Sequence, residues 1–95
     1  MRVVIVKHES CGTKYLFQVP EPYSFLTGDL VSVKTRKGTN TMATCLSPSF
    51  EIDENSERFK GLCAAMGAPI PLSPIVGYYY YVGIEPKEEE RIVDF

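Results

Sequence analysis

Apolar residues recur mostly at every second position, the period of a half-buried strand. RVVIVK at the start is short and β-branched, so it predicts a strand. In KYLFQV, Tyr15, Phe17 and Val19 share one face, with Leu16 and Gln18 on the other. Gly12 and its turn-forming neighbours join these two segments into a hairpin. Pro20 and Pro22 end the second strand because proline has no N–H for a ladder. Gly28-Asp29 then introduces LVSVKT, where Val31, Val33 and Thr35 oppose Leu30, Ser32 and Lys34. Gly38 and Asn40 accept positive φ, so TMATCL returns antiparallel as a second hairpin.

One segment has helical spacing. In DENSERFKGLCAAMG, Phe59, Leu62, Cys63 and Met66 fall at i, i+3, i+4 and i+7 and form one apolar stripe. Asp53 is the expected N-cap, Glu54 and Glu57 suit the positive end of the macrodipole, and Gly67 followed by Pro69 stops the helix. Gly61, Ala64, Ala65 and Ala68 gather on the opposite side, a small-residue face able to admit a strand or a partner at close range.

PIVGYYYYVGI, bounded by Pro74 and Pro86, reads as a last strand. Alternation sends Tyr78 and Tyr80 to one face and Tyr79 and Tyr81 to the other, so the four tyrosines cannot form one platform. One pair packs inward or along a rim and the other lies outside. Hairpins without helical crossovers predict a mainly β (α+β) fold. The expected form is a small antiparallel barrel-like sheet of five to six strands with one packed helix over about residues 53–66. Residues 1–86 form this single domain, and residues 87–95 form an acidic tail that is either mobile or adds a strand here or on a neighbouring molecule.

At 95 residues, 44 % hydrophobic and 23 % charged, the composition is that of one globular domain. The apolar run Val3 to Val6 is too short for a signal-peptide core or a membrane span, which gives a cytoplasmic expectation with no membrane partner. Cys11, Cys45 and Cys63 are odd in number, widely spaced and lack a C-x-x-C pair, so neither a disulfide framework nor a zinc knuckle is expected. His8 stands three residues before Cys11, but no third group supports a Cys–His pair. Glu51, Asp53, Glu54 and Glu57 are accounted for by helix-start electrostatics, and no glycine-rich phosphate loop precedes the helix. No catalytic residue, metal site or cofactor is expected, and the chain reads as a non-enzyme.

Charge is uneven along the chain. Residues 1–40 hold six basic residues against three acidic ones, a net of +3, whereas residues 41–95 hold four against nine, a net of −5. Lys34, Arg36 and Lys37 cluster at a hairpin tip, with Tyr15 or Tyr23 as stacking platforms, a pattern suited to single-stranded nucleic acid. A net charge of −2 for the whole chain weighs against that use. The acidic half instead presents Glu88, Glu89 and Glu90 to a basic groove on another protein, beside Tyr79, Tyr81 and the Gly61, Ala64, Ala65, Ala68 face. A homodimer through that face or the last strand is a further expectation.

The stretch from Val4 to Leu46 resembles the β-barrel core of the sporulation-associated polymerase-suppressor C-terminal domain family. Tyr15 and Phe17 precede Gly28, Asp29, Val31, Val33, Thr35 and Gly38 in that family's order. The layout is also similar to the N-terminal DNA-binding module of the primosomal helicase. As a whole the chain resembles small proteins encoded by phages and mobile elements of Gram-positive bacteria. The resemblance implies a small barrel that serves as an interaction or nucleic-acid module and carries no catalytic residues. The expected function is therefore a phage-type interaction module that binds a host or phage protein, including as an inhibitor of a nucleic-acid enzyme. Its alternative is a single-stranded nucleic-acid-binding barrel.

Overall fold

A computed structural model of the chain describes residues 1–8, 12–35, 37–83 and 89–95. Strand β1 (Arg2–His8) pairs antiparallel with β2 (Lys14–Gln18), from Val3 opposite Gln18 to Lys7 opposite Lys14. Strand β3 (Leu30–Lys34) pairs in the same way with β4 (Asn40–Cys45). That second turn is closed by the Thr35 N–H donating to the Thr39 carbonyl at 2.8 Å, and Gly38 supplies the positive φ of 82°. β4 then lies along β1, with Cys45 opposite Val6, and β5 (Phe50–Glu51) continues in the same lane with Glu51 opposite Arg2. After helix α1 (Glu57–Met66), β6 (Gly77–Val82) joins the free edge of β3 and β7 (Glu89–Asp94) pairs with β6.

The fold is mainly β, antiparallel, with one helix. It contains seven strands rather than five or six, in the order β2-β1-β4-β3-β6-β7 with β5 beside β1. The expected barrel does not close. Between β2 and the segment entering β6 there is only an isolated parallel bridge, Gln18 to Pro74. Pro69, Pro71 and Pro74 explain the interruption, since a segment this rich in proline lacks the donors for a ladder. Only the Ser73 carbonyl and the Ile75 N–H reach Gln18.

The sheet therefore curls without sealing, and it carries a core on each face. Val4, Val6, Phe17, Val19, Val31, Val33, Ala43 and Cys45 fill the inside of the curl with Phe25 and Ile75. On the outer face, Val3 and Leu16 meet Ile52, Phe59, Cys63 and Leu72 beneath the helix. β1 is thus buried on both sides, which is why its sequence is a continuous apolar run rather than an alternating one.

The helix begins later than residue 53. Asp53 is occupied in a preceding turn, where its Oδ1 accepts the Asn55 N–H at 2.9 Å and its carbonyl accepts the Ser56 N–H at 3.0 Å. Ser56 is the N-cap, its Oγ accepting the Phe59 N–H at 3.2 Å. Gly67 ends the helix in the left-handed region at φ 63°. Beyond that cap the chain doubles back, with the Ala68 N–H bonding the Cys63 carbonyl at 2.9 Å, so Ala68 packs on the helix-side core. Ala68 therefore separates from the open face formed by the exposed Gly61, Ala64 and Ala65. A Cβ on Gly61 would meet nothing within 4 Å, so no described segment of this chain approaches it.

Candidate functional site

The four tyrosines divide according to where β3 stops. β3 accompanies β6 only through Ser32–Gly77, Val31–Tyr78 and Leu30–Tyr79. β6 and β7 continue together through Tyr80–Arg91, Tyr81–Glu90 and Val82–Glu89. Those three pairs run past the start of β3 as a two-stranded ribbon in a molecule 50 Å long and 27 Å across.

Tyr78, the first of the inward pair, packs on the inner core with ring centroids 6.2 Å from Tyr23, 6.3 Å from Phe25 and 5.9 Å from Phe95. Phe95 stacks on Tyr23 at 3.9 Å and 12°, tying the last described residue to the body of the protein. Tyr80 shares the face of Tyr78 at 5.9 Å, but lies beyond the core and is 38 % exposed. On the opposite face, Leu30, Tyr79 and Ile92 stand side by side across three strands. Tyr79 is half-buried there, while Ile92 is 53 % and Tyr81 63 % exposed.

Large exposed apolar side chains are therefore concentrated on β6, β7 and the residue that follows. Of the eight among the described residues, Tyr80, Tyr81 and Val82 belong to the projecting ribbon, Ile92 and Phe95 to the part of β7 and its end that lie alongside the sheet, and Leu26, Leu46 and Ile70 are scattered elsewhere. Glu89, Glu90 and Asp94 give the ribbon an acidic character against a single Arg91, whose guanidinium lies 3.4 Å from Glu89. Glu88 lies outside the described residues. The charges on β7 oppose edge pairing between two copies in the registers centred on Ile92 and Arg91. A twofold axis through Ile92 sets Glu90 against Asp94 twice, and one through Arg91 sets that cation against itself.

At the root of the ribbon is a notch of about 350 Å³ lined by Tyr23, Ser24, Phe25, Asp29, Leu30 and Tyr78 to Tyr80. The Asp29 carboxylate is held in place by the Leu26 N–H, which donates to Oδ2 at 2.8 Å.

The opposite end of the curl has a different chemistry. His8 faces Ala43 and β4 starts at Asn40, so the tips of both hairpins lie together there. They frame a cleft of about 580 Å³, lined by His8, Tyr15, Phe17, Lys34, Thr35 and Thr41 and closed on its far side by Gly67 to Pro69 and Ser73. His8 meets the Tyr15 ring edge-on at 4.7 Å, and its Nδ1 lies 3.4 Å from Thr41 Oγ1. The structure thus joins Lys34 to Tyr15, with the exposed Lys37 in the adjoining turn. Tyr23 is instead part of the aromatic cluster at the other end. Arg36 lies outside the described residues, as does Cys11.

The remaining polar candidates are structural. Glu51 pairs with Arg2 at 2.9 Å, and Glu57 pairs with Lys60 at 3.7 Å within the helix. Cys45 and Cys63 are buried free thiols. Burial, reinforced by the negative charge of Asp29, pushes the Cys45 thiol up to about 12, and burial raises Cys63 as well. No three His, Cys, Asp or Glu residues among those described gather into a group able to hold a metal ion, and no described helix is long and apolar enough to cross a membrane.

Sequence reasoning singled out Tyr79 and Tyr81 but missed Tyr80, Val82 and Ile92. No signal in the chain marks how far β6 outruns β3. The chain matches no protein-family model, no curated protein and no solved structure.

Proposed function

We propose that this protein is a non-enzymatic interaction module whose contact element is the β6–β7 ribbon. The observation that carries this reading is the run of Tyr80, Tyr81 and Val82 on a strand pair that projects beyond β3, with Ile92 exposed on β7 at its root. A two-stranded ribbon has little stability of its own, and exposed tyrosines make effective interface anchors because they bury a large area at a small cost in side-chain freedom. The acidic residues around them favour a partner with a basic surface. In the phage or mobile-element setting that the sequence resemblance supplies, a nucleic-acid groove on a host enzyme fits that description, and the ribbon would block it by charge competition. The test is partner capture by wild-type protein beside a Tyr81→Ala, Ile92→Ala variant whose folding is checked by circular dichroism. Loss of capture with folding retained supports the ribbon, and undiminished capture removes it.

A second reading is favoured by the opposite end. Lys34 lines a cleft that contains Tyr15 and His8, and the exposed Lys37 lies in the adjoining turn. Single-stranded nucleic acid offers both the phosphates and a base for the aromatic wall. Binding of an oligonucleotide that weakens steeply with salt, and is lost in a Lys34→Ala, Lys37→Ala variant, is the expected result on this reading. Absence of any oligonucleotide binding at low salt would exclude it.

A further inference from the structure

The notch at the root of the ribbon has the composition of a cation site. Its walls include Tyr23, Phe25, Tyr78 and Tyr80, with Tyr78 central at ring-centroid distances of 6.2, 6.3 and 5.9 Å from the other three. Aromatic faces carry negative charge density that attracts ammonium and guanidinium groups within about 6 Å of a ring. Asp29 adds a full negative charge to the same notch. One of its oxygens is engaged by the Leu26 N–H, which orients the carboxylate, and a carboxylate so held still has acceptor capacity at the other oxygen. No lysine or arginine lines the notch among the described residues.

Two arginines beside notch residues are already engaged. Arg2 donates through Nη1 to the Tyr23 carbonyl at 2.6 Å and through Nε to Glu51 at 2.9 Å. Arg91, opposite Tyr80 on the ribbon, is turned to Glu89. At about 350 Å³ the notch has room for one extended side chain.

We propose that this notch receives a lysine or arginine side chain from the partner that the ribbon engages. The inference rests on the ribbon reading, because Tyr80 belongs both to the ribbon and to the notch, so a partner groove that clasps the ribbon from both faces borders the notch. It gives the partner's groove one basic side chain against the Tyr78 and Tyr80 face of the ribbon, while its apolar residues meet Tyr81 and Ile92 on the opposite face. The stem of the cation packs on the rings, and its charged head meets Asp29.

The experiment is an NMR titration of the full chain with three capped amino acids: acetyl-arginine methylamide, acetyl-lysine methylamide and the neutral acetyl-norleucine methylamide. The expected result is saturable shifts at Asp29, Leu30, Tyr78 and Tyr80 with one or both cationic probes and not with the neutral one. Asp29→Asn retains an acceptor for the Leu26 N–H, so the turn is preserved while the charge is lost; the affinity should fall by about fivefold to tenfold, the size of one exposed charge-assisted contact. Equal shifts from norleucine, or no localised shifts up to the solubility limit of the probes, would overturn the proposal. A failed titration beside capture that still depends on Tyr81 and Ile92 rejects the notch alone. A successful titration beside capture indifferent to those residues rejects the ribbon and leaves the notch as an isolated cation site.

Discussion

Gly77 is the residue on which the ribbon's attachment depends most closely. A Cβ there would stand 2.5 Å from the Val93 carbonyl oxygen and 3.3 Å from Ser32 Cβ, between β3 and β7. Backbone on one side cannot yield without shifting a strand, so Gly77→Ala should cost about 1–3 kcal/mol, as overpacked sites do. Urea denaturation checks this, and an unchanged midpoint would show that β7 moves away freely. Cys45 supplies a pH test. Its thiol is raised in the folded state from the usual 9.0 to about 12, so its contribution is complete below pH 9 and is lost as pH climbs toward 12. The stability difference between wild type and Cys45→Ala should therefore shrink between pH 8 and 11, and a constant difference would contradict the burial.

Among the elements, hairpins were legible and junctions were not. Tyr15, Phe17 and Val19 alternate with Leu16 as the sequence predicts because each strand face meets a distinct core. The helix stripe was equally readable, with Phe59 and Cys63 buried and Leu62 and Met66 half-buried against them. Its start was misassigned because Asp53 and Ser56 are both good caps, and only the turn that consumes Asp53 decides between them. Ser56→Ala should accordingly cost about 1 kcal/mol by thermal or chemical denaturation, and more than Asp53→Ala. The reverse order would restore the earlier start. Barrel closure was unreadable for a similar reason: strand count and hairpin turns leave open whether the last edges meet, and three prolines beside β2 prevent a ladder there. The candidate site was half legible. Alternation separated Tyr79 and Tyr81 from Tyr78, but the exposure of Tyr80 and Val82 depends on β3 reaching no further than Leu30, and that of Ile92 on β7 being an edge strand, both properties of the assembled sheet.

At the scale of the molecule, the charge imbalance along the sequence becomes a separation in space. Lys7, Lys14, Lys34 and Lys37 occupy the end with the cleft, whereas Asp29, Glu89 and Glu90 occupy the end with the ribbon. The two ends thus differ in sign, and a net charge of −2 is compatible with a basic hairpin at one of them. The most direct measurement is capture from a bacterial lysate in parallel with wild-type protein, the Tyr81→Ala, Ile92→Ala variant and the Lys34→Ala, Lys37→Ala variant, each with and without nuclease. The account predicts a protein retained by wild type and by the lysine variant regardless of nuclease, and lost with the ribbon variant. Retention by the ribbon variant, or capture that disappears with nuclease and with the lysine substitutions, would contradict it and move the function to the cleft.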